Sequence, residues 1–133
     1  DMDKVIKMCL IHDLGECFTG DIPSFLKTDA DTATEDALLI QWVETLPQPY
    51  HSEMAALYAE MDALETPEAK LYKALDKLEA VIQHNESSLS TWEPHEYDLN
   101  LTYGTENASF SPYLTALRQA VRQETIDKVA KGN

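Results

Sequence analysis

The chain has 133 residues, 44% of them hydrophobic, with only four glycines and six prolines. That is enough for one domain with a real core, and it excludes disordered and fibrous classes. A formal charge of −14, from 24 acidic against 10 basic residues, excludes the basic surface that nucleic-acid phosphates or an anionic membrane require, but not a small phosphate substrate held beside a bound cation.

No apolar run reaches the roughly 18–20 residues of a membrane helix, and no secretory signal pattern stands out. Cys9 and Cys17 form no CxxC pair; they read as free thiols, and the expected compartment is a reducing cytoplasm.

The first element, "MDKVIKMCLIH" over 2–12, carries Val5, Ile6, Met8, Cys9, Leu10 and Ile11. Such density predicts a mostly buried helix. Gly15, Gly20 and Pro23 then break the chain into loop or short turns. A helix is expected over about 33–46, with Leu39, Trp42, Val43 and Leu46 on one face, ended by the prolines of "PQPY". In "SEMAALYAEMDALE", Met54, Leu57, Tyr58, Met61 and Leu64 recur at helical spacing. Thr66-Pro67-Glu68 opens the next helix with a cap, a proline and an acid in the order that favours a helix start. Leu71, Leu75, Leu78 and Ile82 form its main apolar stripe. Residues 86–110 read as irregular, with Trp92, Tyr97 and Tyr103 expected to pack over something. Ser111-Pro112 starts a last helix with Leu114, Leu117 and Val121 on one side. The expected fold is therefore all-α.

The residues able to do chemistry cluster early, in "LIHDLGECFTGDIP". His12 and Asp13 are neighbours, pointing about 100° apart on a regular helix. They can share a metal only where the helix ends, and Gly15 makes an ending there plausible. An imidazole and a carboxylate suit Mn, Fe, Co or Zn; the alternative is a core hydrogen bond for His12 and a turn cap for Asp13. Glu16 and Asp21 follow, as either solvated loop acids or groups that take a proton from an attacking water. Asp76, in "KALDKLEA", lies roughly 130° from the leucine stripe, near Ala69, Tyr72 and Ala80. An acid facing packed surroundings needs a partner, which is either a metal or Lys73 or Lys77. His51, His84 and His95 are weaker ligand candidates, since they sit in a turn, at a helix end and in the irregular stretch. No GxSxG motif and no glycine-rich phosphate loop occurs.

Together, "KVIKMCLIHDLGECFTGDIP" and "EAKLYKALDKLEAVIQH" resemble the HD-domain metal-dependent phosphohydrolases. Within them the chain is most similar to the 5'-deoxynucleotidase branch, the YfbR-like and HD-domain-containing protein 2-like group. The likeness covers roughly residues 1–125 and includes "WEPHEYDLNLTYG" and "FSPYLTALR". It implies a single all-α HD-domain helical bundle over 1–133, with one divalent metal ion (Mn, Co, Fe, Zn or Mg). His12, Asp13 and Asp76 would be metal ligands. Glu16 would position or deprotonate the attacking water, and Asp21 would support that water or the substrate. The substrate would be a deoxyribonucleoside 5'-monophosphate, and the protein a cytoplasmic homodimer.

The family also has an earlier histidine ligand, on a helix well before the His-Asp pair. Here eleven residues precede His12 and none is His, so the expectation is a chain lacking its N-terminal helices, through a lost or cleaved segment, the alternative being a helix supplied by a partner. Two other readings stay open. One is an HD hydrolase of a triphosphate, alarmone or cyclic nucleotide. The other is a non-catalytic helical module that binds a nucleotide or a partner.

Overall fold

The computed structural model describes residues 1–23 and 26–132, and every regular element among them is helical. The helices fall into two compact units, Asp1–Ala69 and Lys70–Asn133. Among the described residues no helix is long and apolar enough to cross a membrane.

The first unit holds α1 (Met2–Ile11), α2 (Glu16–Thr19), α3 (Asp29–Glu44) and α4 (Tyr50–Ala63). α1 buries Val5 and Met8, but Ile6 and Leu10 are 52% and 75% exposed. It is therefore not the mostly buried helix that its apolar density predicts: density counts residues, whereas packing on one side covers a single stripe. α3 starts four residues before the expected 33, because Thr28 and Asp31 form a reciprocal capping box. Asp31 N–H donates to Thr28 Oγ1 at 3.3 Å and Thr28 N–H to Asp31 Oδ2 at 2.9 Å, satisfying donors that a helix start leaves open. The expected face of α3 holds for Leu39 and Val43, which are buried, and Trp42, which is partly so; Leu46, expected on the same helix, lies past its end at Glu44. α4 begins at Tyr50, which draws His51 into its first turn rather than leaving it in a loop. Lys4 of α1 reaches Glu60 of α4 at 3.0 Å, and Thr66 Oγ1 donates to the same carboxylate at 2.6 Å.

Thr66 also caps α5 (Pro67–Glu86), accepting from Ala69 N–H at 3.1 Å. Most of α5 lies in the second unit, with a 3₁₀ turn (Leu89–Thr91), α6 (Glu96–Thr102), α7 (Thr105–Ala108) and α8 (Pro112–Lys131). A core cluster joins Ala74, Leu78, Ala108 and Leu114, flanked by Leu71 and Leu117. The buried face of α5 is wider than the leucine stripe: Tyr72, Ala74 and Val81 are buried while Leu71, Leu75 and Ile82 are only partly so. Residues 86–110, expected to be irregular, instead carry the 3₁₀ turn and two short helices. Tertiary partners hold these elements more than local propensity does. Trp92 Nε1 donates to the His84 carbonyl and to Ser87 Oγ, both at 3.0 Å, and its ring packs 5.6 Å from His84 and 5.2 Å from Tyr97. Trp92 thus covers the end of α5, as an aromatic-rich stretch should.

α8 buries Leu114 and Val121, but also Arg118 and Thr125. Arg118 donates from Nε to the Tyr103 carbonyl and from Nη2 to the Asn100 carbonyl, both at 2.7 Å. These are carbonyls that the end of α6 leaves without helical partners. Asn100 in turn bonds His84 Nδ1 at 2.7 Å, and Thr125 donates to Asn85 Oδ1 at 2.8 Å. His84 is tied into this polar network.

Candidate active site

The His-Asp pair stands where α1 stops. His12 is the C-cap, still with helical φ and ψ (−61°, −33°), and Gly15 follows three residues later. His12 Nδ1 lies 2.7 Å from the Cys9 carbonyl oxygen. A carbonyl only accepts, so Nδ1 carries a proton, and Nε2 is the nitrogen that can meet a further proton or a metal. Nε2 faces Asp13: it and Asp13 Oδ2 are 3.1 Å apart. A neutral imidazole lone pair and a carboxylate at that distance repel unless a proton or a metal cation lies with them. The donor set therefore fits a divalent ion, with the backbone bond at Nδ1 fixing tautomer and ring orientation as in metal-ligating histidines.

Tyr58 of α4 braces this turn. Its hydroxyl donates to the Ile11 carbonyl at 2.8 Å, and burial pushes the phenol up to about 12, so it stays a donor at any working pH. Tyr58→Phe is expected to lower stability by about 1 kcal/mol, the worth of one such bond, and to weaken metal binding by loosening the residue before His12. Thermal unfolding with metal titration checks this; an unchanged metal affinity would reduce Tyr58 to packing.

Glu16 opens α2, one turn past the pair. Burial, then the charges of Asp13 and Asp21, raise its carboxyl above the ordinary range; Lys27 opposes them and Glu35 adds to them. Glu35 is held by Lys27 at 2.7 Å and accepts from Thr19 Oγ1 at 3.4 Å. The Glu35 bond is also the main reason Lys27 is raised. Gly15 permits this arrangement: a Cβ there would stand 2.7 Å from Glu35 Cγ. Asp21 is exposed, beyond α2.

The first unit thus brings His12 and Asp13 into contact and sets Glu16 within electrostatic reach of Asp13 and Asp21. Asp76 lies in the second unit, on α5, where it bonds Lys73 at 2.9 Å. Burial opposes the Lys73 charge, but the Asp76 hydrogen bond and charge outweigh it and leave Lys73 raised. Among the described residues no three His, Cys, Asp or Glu side chains converge as a metal cage. Glu35, Lys27 and the bracing role of Tyr58 escape sequence reading. Glu35 is one acid among many, and Tyr58 falls in an apolar stripe where its hydroxyl gives no signal.

A family model described as HD domain matches residues 1–118. The 5'-deoxynucleotidase HDDC2 of Danio rerio is 29% identical over 133 residues, covering 98% of this chain and 66% of its own length. That of Dictyostelium discoideum is 33% identical over 100 residues, covering 74% and 51%, and that of Homo sapiens 31% over 87 residues, covering 63% and 42%. The chain therefore spans 42% to 66% of the length of these relatives. No solved structure matches it. Since the matched span takes in the His12–Asp13 turn, the acids after it and Asp76 alike, the chain belongs to the HD domain family.

Proposed function

We propose that the protein is a metal-dependent phosphohydrolase acting on deoxyribonucleoside 5'-monophosphates, releasing phosphate and a deoxynucleoside. The observation that carries this is the His12 Nε2–Asp13 carboxylate pair, 3.1 Å apart with the imidazole tautomer fixed from behind. The names of the relatives support the substrate class. His12 and Asp13 would hold one divalent ion, with Asp76 as the third protein ligand. That ion would polarise the phosphate ester and lower the pKa of a water. Glu16 would take a proton from the attacking water, for which a carboxyl raised by burial and by Asp13 and Asp21 is well matched. Asp21 would orient the water or the substrate. A homodimer and a cytoplasmic setting belong to the same proposal.

Phosphate release from 5'-dAMP, after chelation and addition of Mn or Co, tests it. Metal-dependent release is the expected result. Turnover of dATP or a cyclic nucleotide with none of 5'-dAMP would move the protein to another HD hydrolase class. No turnover of any phosphoester would favour a non-catalytic binding module.

A further inference from the structure

The chain is poor in cations, and among the described residues carboxylates hold Lys4 (by Glu60), Lys27 (by Glu35) and Lys73 (by Asp76). Lys77, beside Asp76 on α5, is held differently. Its ammonium lies over the Tyr103 ring, 4.4 Å from the centroid, and donates to the Tyr103 hydroxyl. A neutral phenol aims an ammonium but leaves its charge in place.

The surroundings keep that ammonium where it is. The turn after Tyr103 lies on the lysine stem: Gly104 has φ +74°, and a Cβ there would stand 2.8 Å from Lys77 Cβ. Only glycine meets both demands without cost. The Tyr103 carbonyl is fixed in turn by the buried Arg118 at 2.7 Å. One helical turn before Lys77 stands Lys73, itself within electrostatic reach of Tyr103. Lysines four apart on a helix repel. Here the two stand in sequence on either side of Asp76, which holds Lys73 at 2.9 Å, in a protein of −14. An anion at that place would use an ammonium already oriented and partly desolvated.

We propose that Lys77, aimed by Tyr103 and neighboured by Lys73, binds the phosphate of the nucleotide beside Asp76. This rests on the phosphohydrolase reading above and names the residue that anchors the substrate there. Lys77 is the contacting group, and Tyr103 is a positioning residue.

Inorganic phosphate, titrated by calorimetry into the protein supplied with cobalt, separates this proposal from the assignment of the reaction, because no turnover is needed. Lys77→Met should weaken phosphate binding by about 10–100-fold, the range of one charge-assisted hydrogen bond, with cobalt content unchanged. Lys77→Arg should restore most of the affinity, and Tyr103→Phe should weaken it by a smaller factor. If the methionine variant does not fold, Lys77→Gln, shorter but still polar, removes the charge in a second way. In turnover, the KM for 5'-dAMP should rise more than kcat falls, which loss of packing alone would not produce. Equal phosphate affinity in wild type and a folded Lys77 variant, or no phosphate binding by the wild type, would overturn the proposal. Lys77-dependent phosphate binding without hydrolysis of 5'-dAMP would support the anion site and remove the monophosphatase reading.

Discussion

Replacing Glu16 by glutamine is expected to slow hydrolysis by about 10²–10⁴-fold, the usual worth of a positioned proton acceptor, while metal content stays at the wild-type level. The amide keeps the shape of the carboxyl and its place at the start of α2, so neither the turn nor the His12–Asp13 pair should move. What it loses is the ability to accept a proton. Burial and the charges of Asp13 and Asp21 raise the Glu16 carboxyl, which makes its ionised form more basic than that of an ordinary surface acid. The sign follows directly: Glu16 works only when ionised, so wild-type kcat should fall as pH drops through its pKa. The glutamine variant should lack that acid limb. Asp21→Asn should cost less, because Asp21 is exposed and its proposed part is to orient the water or the substrate rather than to take the proton. Metal analysis alongside a kcat–pH profile decides the matter. A glutamine variant with wild-type turnover would end the water-activation role, and one that has lost its metal would make Glu16 a ligand instead.

Much of this arrangement is legible in the sequence, because helices are encoded locally. The prolines, the Thr66 and Ser111 caps and the three-to-four spacing of leucines place α4, α5 and α8 within a few residues. The end of α1 at the His-Asp pair follows from Gly15. Other features depend on partners distant in sequence and so leave no local trace. The short helices α6 and α7 persist through Trp92 packed between His84 and Tyr97 and through Arg118 on the Asn100 and Tyr103 carbonyls, the latter 18 and 15 residues apart in sequence. The polar stripe Arg118 and Thr125 breaks the apolar pattern of α8 because their partners, Tyr103, Asn100 and Asn85, come from other segments. At the candidate site, the residue types of His12, Asp13 and Glu16 can be read directly. Their states cannot: the tautomer of His12 is set by the Cys9 carbonyl, and the raised carboxyl of Glu16 by burial among three other acids.

Asp76→Ala should lower both metal content and turnover, with metal affinity falling at least about tenfold, the scale on which even outer-shell partners of a metal act. The variant also breaks the Asp76–Lys73 bond, so the ligand role must be separated from the ion pair. The two side chains are 26% and 31% exposed, and a pair of that kind contributes at most about 1 kcal/mol, less after solvent screening. Its loss cannot unfold the second unit, where the core of Ala74, Leu78, Ala108 and Leu114 is untouched. Lys73→Met supplies the control. It breaks the same bond and leaves the carboxylate in place, so metal content should persist and the unfolding temperature should shift about as far as in Asp76→Ala. If both variants keep their metal, Asp76 is a partner of Lys73 rather than a ligand, and the ion must be held by other donors. If only the alanine variant loses it, the carboxylate itself is the ligand, and the lysine bond is what balances its charge when the metal is away.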